Sequence, residues 1–131
     1  MITRLFKILV PTSVIIFLGC QGNIDDNSTP PKNDTLTMYY DSGKIKSIEI
    51  LRNKRKNGMA KYYFANGKIS GQFHYENGVK KGDYKTYYEN GIVRSEGFLL
   101  NDTTPDGDCK IYDVEGRLLE TNKYNDGKKI N

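Results

Sequence analysis

From residue 38 onward the chain writes one short unit four times. A repeat of this kind restricts the fold before any residue is weighed singly, because each copy must bury its surface against the next. Gly43, Gly67, Gly91 and Gly116 fall 24, 24 and 25 residues apart. Tyrosine stands four positions before each, as Tyr39, Tyr63, Tyr87 and Tyr112, and the following position holds Tyr40, Phe64, Tyr88 and Asp113. Ile45, Ile69, Val93 and Leu118 come two positions after the glycines, and Leu51, Tyr75, Leu99 and Tyr124 six positions later. A second glycine, at 58, 82 and 107, opens the other half of the unit, with Lys61, Lys85 and Lys110 at a constant offset behind it. The one extra residue falls within 101–106, where a loop absorbs it.

Each unit reads as strand, turn, strand, turn. Asn66-Gly67, Asn77-Gly78 and Asn90-Gly91 are tight-turn dipeptides in which both residues tolerate positive φ, and Asp41-Ser42-Gly43, Glu115-Gly116 and Asp126-Gly127 fill equivalent places. Between them lie runs such as 45–51 and 85–88, rich in β-branched and aromatic residues whose parity puts Ile45 and Leu51 on one side of a strand. Glycine or Asn-Gly recurs too often for a helix of useful length. The expected fold is all-β: an antiparallel meander of repeated β-hairpins in a single elongated, twisted sheet, with units at about 38–61, 62–86, 87–110 and 111–131. The fourth stops at Asn131 before a second strand could form and reads as a cap or a truncated copy.

The first 35 residues have a different character. Arg4 and Lys7 precede a mainly apolar run over 8–18 that is too short for a comfortable membrane span, which predicts a helical signal peptide over 1–19. Its end, Phe17-Leu18-Gly19-Cys20, resembles the bacterial lipobox, with Phe17 in place of the usual leucine. That resemblance implies lipidation of Cys20, an N-terminal acyl chain such as palmitate and firm anchoring, since stable attachment takes two or more chains. Gln21 after the cysteine implies, by similarity to enterobacterial sorting rules, the outer membrane rather than the inner. Residues 20–35 are almost devoid of apolar side chains and read as a disordered tether ahead of the repeats at 36–131.

Two stretches, Tyr-Glu-Asn-Gly-Val-Lys-Lys-Gly-Asp-Tyr-Lys-Thr-Tyr-Tyr-Glu-Asn-Gly (75–91) and Tyr-Tyr-Glu-Asn-Gly-Ile-Val-Arg-Ser-Glu-Gly (87–97), resemble the MORN repeat variant found in bacterial YwqK-type antitoxins of toxin–antitoxin systems. The likeness covers about 70% of the chain. It implies a scaffold or binding surface, with protein contacts or membrane association, rather than an active site. Asp41-Ser42 and Ala60 depart from the pattern.

Side chains that carry chemistry are scarce. His74, the sole histidine, shares its column with Ile50, Phe98 and Lys123 and reads as an exposed strand residue. Cys109 shares one with Leu36, Ala60 and Tyr84 and reads as a packed strand position. Asp102, Asp106 and Asp108 lack the spacing and terminal Glu of a calcium loop, and no glycine loop leads into a helix that could cradle phosphate. No catalytic residue, metal, cofactor or small-molecule substrate is therefore expected. Beyond the leader, 18 basic and 16 acidic residues give too weak a bias for nucleic acid. The local excess Arg52-Asn53-Lys54-Arg55-Lys56 reads as a solvated loop tip.

What remains is the column Tyr39, Tyr63, Tyr87 and Tyr112 with Lys61, Lys85 and Lys110. Residues two apart share a strand face, so each lysine lies beside its tyrosine, a tyrosine ladder edged with positive charge. Two readings stay open: cross-strand sheet stabilisation, or a docking face for an acidic protein, a glycan or an anionic headgroup. The expected function is a non-catalytic, lipid-anchored binding module of the bacterial cell envelope with a protein partner. An antitoxin- or immunity-like protein is the alternative and an enzyme the remote one. Replacing the anchor thiol, Cys20→Ser, is expected to abolish metabolic fatty-acid labelling and to release the protein from membranes; full labelling of the variant would refute the lipid attachment.

Overall fold

A computed structural model describes residues 33–130. The leader, Cys20 and most of the stretch read as tether lie outside these residues. Ten strands are present: β1 (Asn33–Tyr39), β2 (Ile45–Arg52), β3 (Arg55–Lys56), β4 (Gly58–Tyr63), β5 (Ile69–Glu76), β6 (Val79–Tyr87), β7 (Val93–Asn101), β8 (Thr104–Tyr112), β9 (Leu118–Asn125) and β10 (Lys128–Lys129). They form one open antiparallel sheet in chain order, with short β3 paired to β2 beside the main path. The described residues are thus an all-β meander of hairpins, as the repeat predicts.

The two turns of each unit differ in kind. At the first, the Phe64 amide donates to the Lys68 carbonyl at 2.8 Å and the Gly67 amide to the Phe64 carbonyl at 2.9 Å. This is a three-residue connection closed by a left-handed bulge residue. Gly67 has φ 88°, and a Cβ there would meet nothing within 4 Å. Glycine is needed for backbone conformation, not for room. Asn66 and Asn90 do not take the positive φ expected of them. Because the loop is one residue longer than a two-residue turn, their side chains act instead: Asn66 Oδ1 accepts from the Lys68 amide at 2.9 Å and Asn90 Oδ1 from the Ile92 amide at 3.0 Å. The second turn is the two-residue form, with positive φ at both Asn77 and Gly78 (50° and 94°), at Asp126 and Gly127 (49° and 78°), and at Asn53 and Lys54 (50° and 63°).

The pairing extends beyond the expected limits in three places. β1 opens at Asn33, which pairs with Arg52, inside the stretch whose composition reads as tether. The fourth unit does begin its second strand, since Lys128 and Lys129 pair with Asn125 and Tyr124. Arg55 and Lys56 pair with Arg52 and Leu51, so the basic run is a short hairpin, and its tip at Asn53-Lys54 is exposed as expected. Backbone ladders, which composition does not register, decide all three.

A single sheet has no second layer, so burial falls on one of its own faces. On this inner face Ser47, Glu49, Ala60, Tyr75 and Asn122 are buried. Large rings sit beside small residues. Tyr62 meets Phe73 edge-on at 5.9 Å, and Phe73 stacks on Tyr84 at 6.0 Å between centroids. Gly71 and Gly97 leave the space: a Cβ on Gly71 would come 2.8 Å from Phe73 Cε2, and one on Gly97 would come 3.1 Å from Tyr84 Cε1.

Successive units are also fastened at their first turns. The Tyr40 hydroxyl donates to the Tyr63 carbonyl at 2.6 Å, and the Tyr88 hydroxyl to the Tyr112 carbonyl at 2.8 Å. The second unit has Phe64 at this position and no hydroxyl to donate. Tyr88→Phe is expected to cost about 1 kcal/mol, the net worth of one hydrogen bond, and Phe64→Tyr to stabilise by a similar amount if its hydroxyl reaches the Tyr87 carbonyl. Urea unfolding measures both; equal midpoints for Tyr88→Phe and the parent would refute the fastening.

Candidate functional site

The strand register assembles the outer face. Thr37, Ile48, Lys61, Gln72, Lys85, Glu96, Lys110 and Thr121 pair consecutively from β1 to β9 with no slip. Directly paired residues share a face, so these side chains form one row across the sheet. Lys61, Lys85 and Lys110 occupy every second strand of it. Tyr39, Tyr63, Tyr87 and Tyr112 pair with Ile45, Ile69, Val93 and Leu118, each at a register shift next to the first turn.

The tyrosines are tied to the row. The Tyr87 hydroxyl donates to Gln72 Oε1 at 3.0 Å and the Tyr112 hydroxyl to Glu96 Oε1 at 2.8 Å. Each bond reaches the neighbouring strand, so each ring lies along the sheet. Lys85 Nζ pairs with Glu96 Oε2 at 2.8 Å. The pairing with Lys85, helped by the Tyr112 hydroxyl, holds the Glu96 carboxyl below its ordinary range, and the same contact raises the Lys85 ammonium. Glu96 in turn raises the Tyr112 phenol.

The expected lysines and tyrosines therefore do lie on one face, but the positive edge is broken. Gln72 and Glu96 stand between the lysines, and Lys85 is neutralised. The tyrosines do not stack on one another either, because successive copies sit two strands apart; the ring–ring contacts described above are on the inner face. Beside Tyr112 lies an open trough of about 390 Å³ lined by Lys85, Ile92, Val93, Glu96, Tyr112 and Gly116. A second trough, of about 620 Å³, runs past Asp83, Lys85, Glu96, Phe98, Asp106 and Lys110.

The remaining singled-out residues fall into structural places. His74 is half-buried rather than exposed, because Gly82 lies against it: a Cβ on Gly82 would come 3.1 Å from His74 Cβ. Cys109 is half-buried on the inner face, its sulfur 3.0 Å from the Tyr84 hydroxyl. Asp102 and Asp106 do not converge. Asp102 Oδ1 accepts from the Lys80 amide at 3.0 Å, and Asp106 Oδ1 from the Asp126 amide at 3.0 Å. Among the described residues no group of three or more His, Cys, Asp or Glu side chains is arranged to hold a metal ion.

Sequence reasoning missed a polar cluster on the inner face. Glu49 is only 1% exposed, and its carboxylate accepts from Lys56 Nζ at 2.8 Å. Lys56 also donates to the Tyr62 hydroxyl at 3.2 Å, and that hydroxyl lies 3.0 Å from the hydroxyl of Tyr75. The ammonium stands 5.7 Å from the Tyr62 ring centroid and 5.1 Å from that of Tyr75. One signal was available: Glu49 has the parity of Ser47 and Leu51, an inward position where a carboxylate is costly without a partner.

A model of the MORN repeat variant matches residues 35–53, 56–77 and 80–101. Each matched segment brackets one hairpin closed by the left-handed glycine turn and begins a few residues before the corresponding division read from the tyrosine columns. No curated protein and no solved structure matches the chain.

The inner-face phenols carry a pH dependence. Burial raises Tyr62, Tyr75 and Tyr84 above the usual phenol range; the hydroxyl contact from Tyr62 adds to it at Tyr75 and the Cys109 contact at Tyr84. A raised folded-state value means their contribution is complete below the unfolded-state value of about 10 and declines as pH rises above it. Tyrosinate absorbance is expected to show one fraction ionising smoothly near pH 10 and another only with cooperative loss of β-structure. Full ionisation with an unchanged circular dichroism spectrum would contradict the burial argument.

Proposed function

Because residues 35–101 carry MORN repeats of the variant type, we propose that this chain is a non-catalytic binding module whose outer face takes up another macromolecule. MORN repeats serve generally as protein- or membrane-binding modules. The observation that carries the reading is the difference between the faces. Inner-face side chains are committed to packing and to one another, whereas the tyrosine and lysine columns recur on the open side with shallow troughs between them.

The Phe17-Leu18-Gly19-Cys20 motif supports a lipid-anchored setting in a bacterial envelope, the outer membrane by the Gln21 rule. Among the described residues no helix is long and apolar enough to cross a membrane. In this reading attachment comes from lipid on Cys20. An antitoxin- or immunity-like role, implied by the resemblance to YwqK-type proteins, is the special case in which the bound protein is a toxin.

The test is affinity capture from intact envelopes with the parent chain and with a Tyr63→Ala/Tyr87→Ala variant. Loss of captured partners from a variant that keeps the β-sheet circular dichroism spectrum of the parent is the expected result. Identical captured sets from both would refute the outer-face assignment.

A further inference from the structure

The hairpin between β2 and β3 carries charge where charge destabilises the fold. We propose that its tip, Arg52, Lys54 and Arg55, rests on the anionic phospholipid headgroups of the membrane to which the chain is tethered. The inference rests on the lipid-anchored setting proposed above.

Two features of the tip work against stability. Arg52 and Arg55 are direct cross-strand partners. The same closing position holds Glu76 with Val79, Asn101 with Thr104 and Asn125 with Lys128 in the later hairpins. Among the described residues only the first hairpin sets like charges opposite each other there, which is destabilising. Lys54 lies at φ 63°, where the equivalent turns have Gly78 at 94° and Gly127 at 78°. A side chain in that region is strained. Both features put exposed cations at one place.

Nearby acids are turned elsewhere. None of the ion pairs among the described residues involves Arg52, Lys54 or Arg55. Lys56, the fourth cation of the run, pairs with Glu49 at 2.8 Å on the inner face. Glu76 of the adjacent turn pairs with Lys81 at 2.8 Å. Asp34 is paired with Leu51 in the strand register, so it faces the inner side while Arg52 and Arg55 face the outer one. The tip keeps a net positive charge.

Placement and chemistry name the surface. Asn33 pairs with Arg52, so the stretch leading back to Cys20 joins the sheet at the tip. Residues 21–32 separate them, a length of chain that spans at most about 45 Å. Lipid on Cys20 therefore holds the tip near a bilayer, at an effective concentration where weak contacts count. Ile50 and Met59, 37% and 38% exposed, share the outer face with Arg52 and Arg55. Apolar side chains beside cations suit the boundary between headgroups and acyl chains; a soluble polyanion offers them nothing to enter. Each lysine or arginine near an anionic surface strengthens binding about fivefold, so three give about a hundredfold. That is enough to orient a tethered chain and too little to hold an untethered one.

The test uses the full chain with Cys20→Ser, which has no lipid to mask the contact. Its partitioning is measured onto vesicles of phosphatidylglycerol with phosphatidylcholine and onto phosphatidylcholine alone, at about 0.1 M salt. The leader contributes to both, so their ratio reports charge, and a ratio of about a hundred is expected. Arg52→Gln/Lys54→Gly/Arg55→Gln is expected to bring the ratio close to one and to melt no lower than the parent, since the strained lysine and the like-charge pair are gone. Lys44→Gln/Lys46→Gln/Lys68→Gln removes the same charge from the side of the first turns and is expected to change the ratio less than about threefold. Equal partitioning onto both vesicles overturns the proposal. So does an equal loss in the two triple variants, which would reduce the effect to net charge. So does displacement of the parent by soluble polyphosphate at matched phosphate concentration, which would assign the tip to a free polyanion. Should the tip variant fail to fold, Lys54→Gly alone carries the test, with a loss of about fivefold expected and an unchanged ratio overturning the proposal. If the chain with native Cys20 takes up fatty acid while the vesicle ratio is one, the tip assignment falls and the anchor stands; if labelling fails, the anchored setting falls and this proposal with it.

Discussion

Every row of this sheet depends on a backbone that turns left-handed at fixed places. Gly43, Gly67, Gly91 and Gly116 all have φ between 78° and 96°, and each closes a three-residue connection that sets how the following strand pairs with the one before. A side chain in that conformation is strained even where open space surrounds it. The 24-residue spacing of these glycines therefore fixes the register, and register decides which side chains face which way. Slip one hairpin by a residue and Lys85 would exchange faces with Tyr84, placing an ammonium among aromatic rings and a large ring in solvent.

A single layer gives that register unusual weight. In a sandwich a second sheet covers whatever the first leaves exposed, whereas here the inner face must cover itself. It does so by matching volumes within and between strands: Gly71 yields to Phe73 two residues along β5, Gly97 on β7 yields to Tyr84 on β6, and Ala60 pairs with Phe73. Where the match is polar, it is closed by pairing. The Glu49 carboxylate is buried and would be costly alone, but β3 pairs Lys56 with Leu51 and brings its ammonium within 2.8 Å of that carboxylate. The short strand β3 thus secures a buried charge as well as two ladder positions.

These facts also explain what could be read without the structure. Strand order and the outer face were legible because they repeat. Tyr63 and Tyr87, or Lys61 and Lys85, are identical letters at a constant offset, and parity puts them on one side. The inner face was legible only at the column of Leu51, Tyr75, Leu99 and Tyr124, because its other columns do not repeat. Glu49, Phe73, Gly97 and Asn122 share a column, as do Ala60, Tyr84 and Cys109. Read along the chain these look like unrelated substitutions; read across strands they are large-against-small and charge-against-charge compensations between neighbours. Turn type was half legible: Asn-Gly marks both turns, but loop length, set by pairing on either side, decides whether asparagine takes positive φ as at Asn77 or caps the turn with its side chain as at Asn66.

The same distinction bears on function. Compensation leaves inner positions free to change in concert, so identity from unit to unit is not needed to pack them. The outer columns have no facing layer to satisfy, and an aromatic or aliphatic pair of almost any shape would serve sheet stability there. Their sameness gives the outer face the same pair of side chains on every second strand. The lysine row that accompanies the tyrosines is less regular, because Gln72 and Glu96 both interrupt it and Glu96 pairs with Lys85.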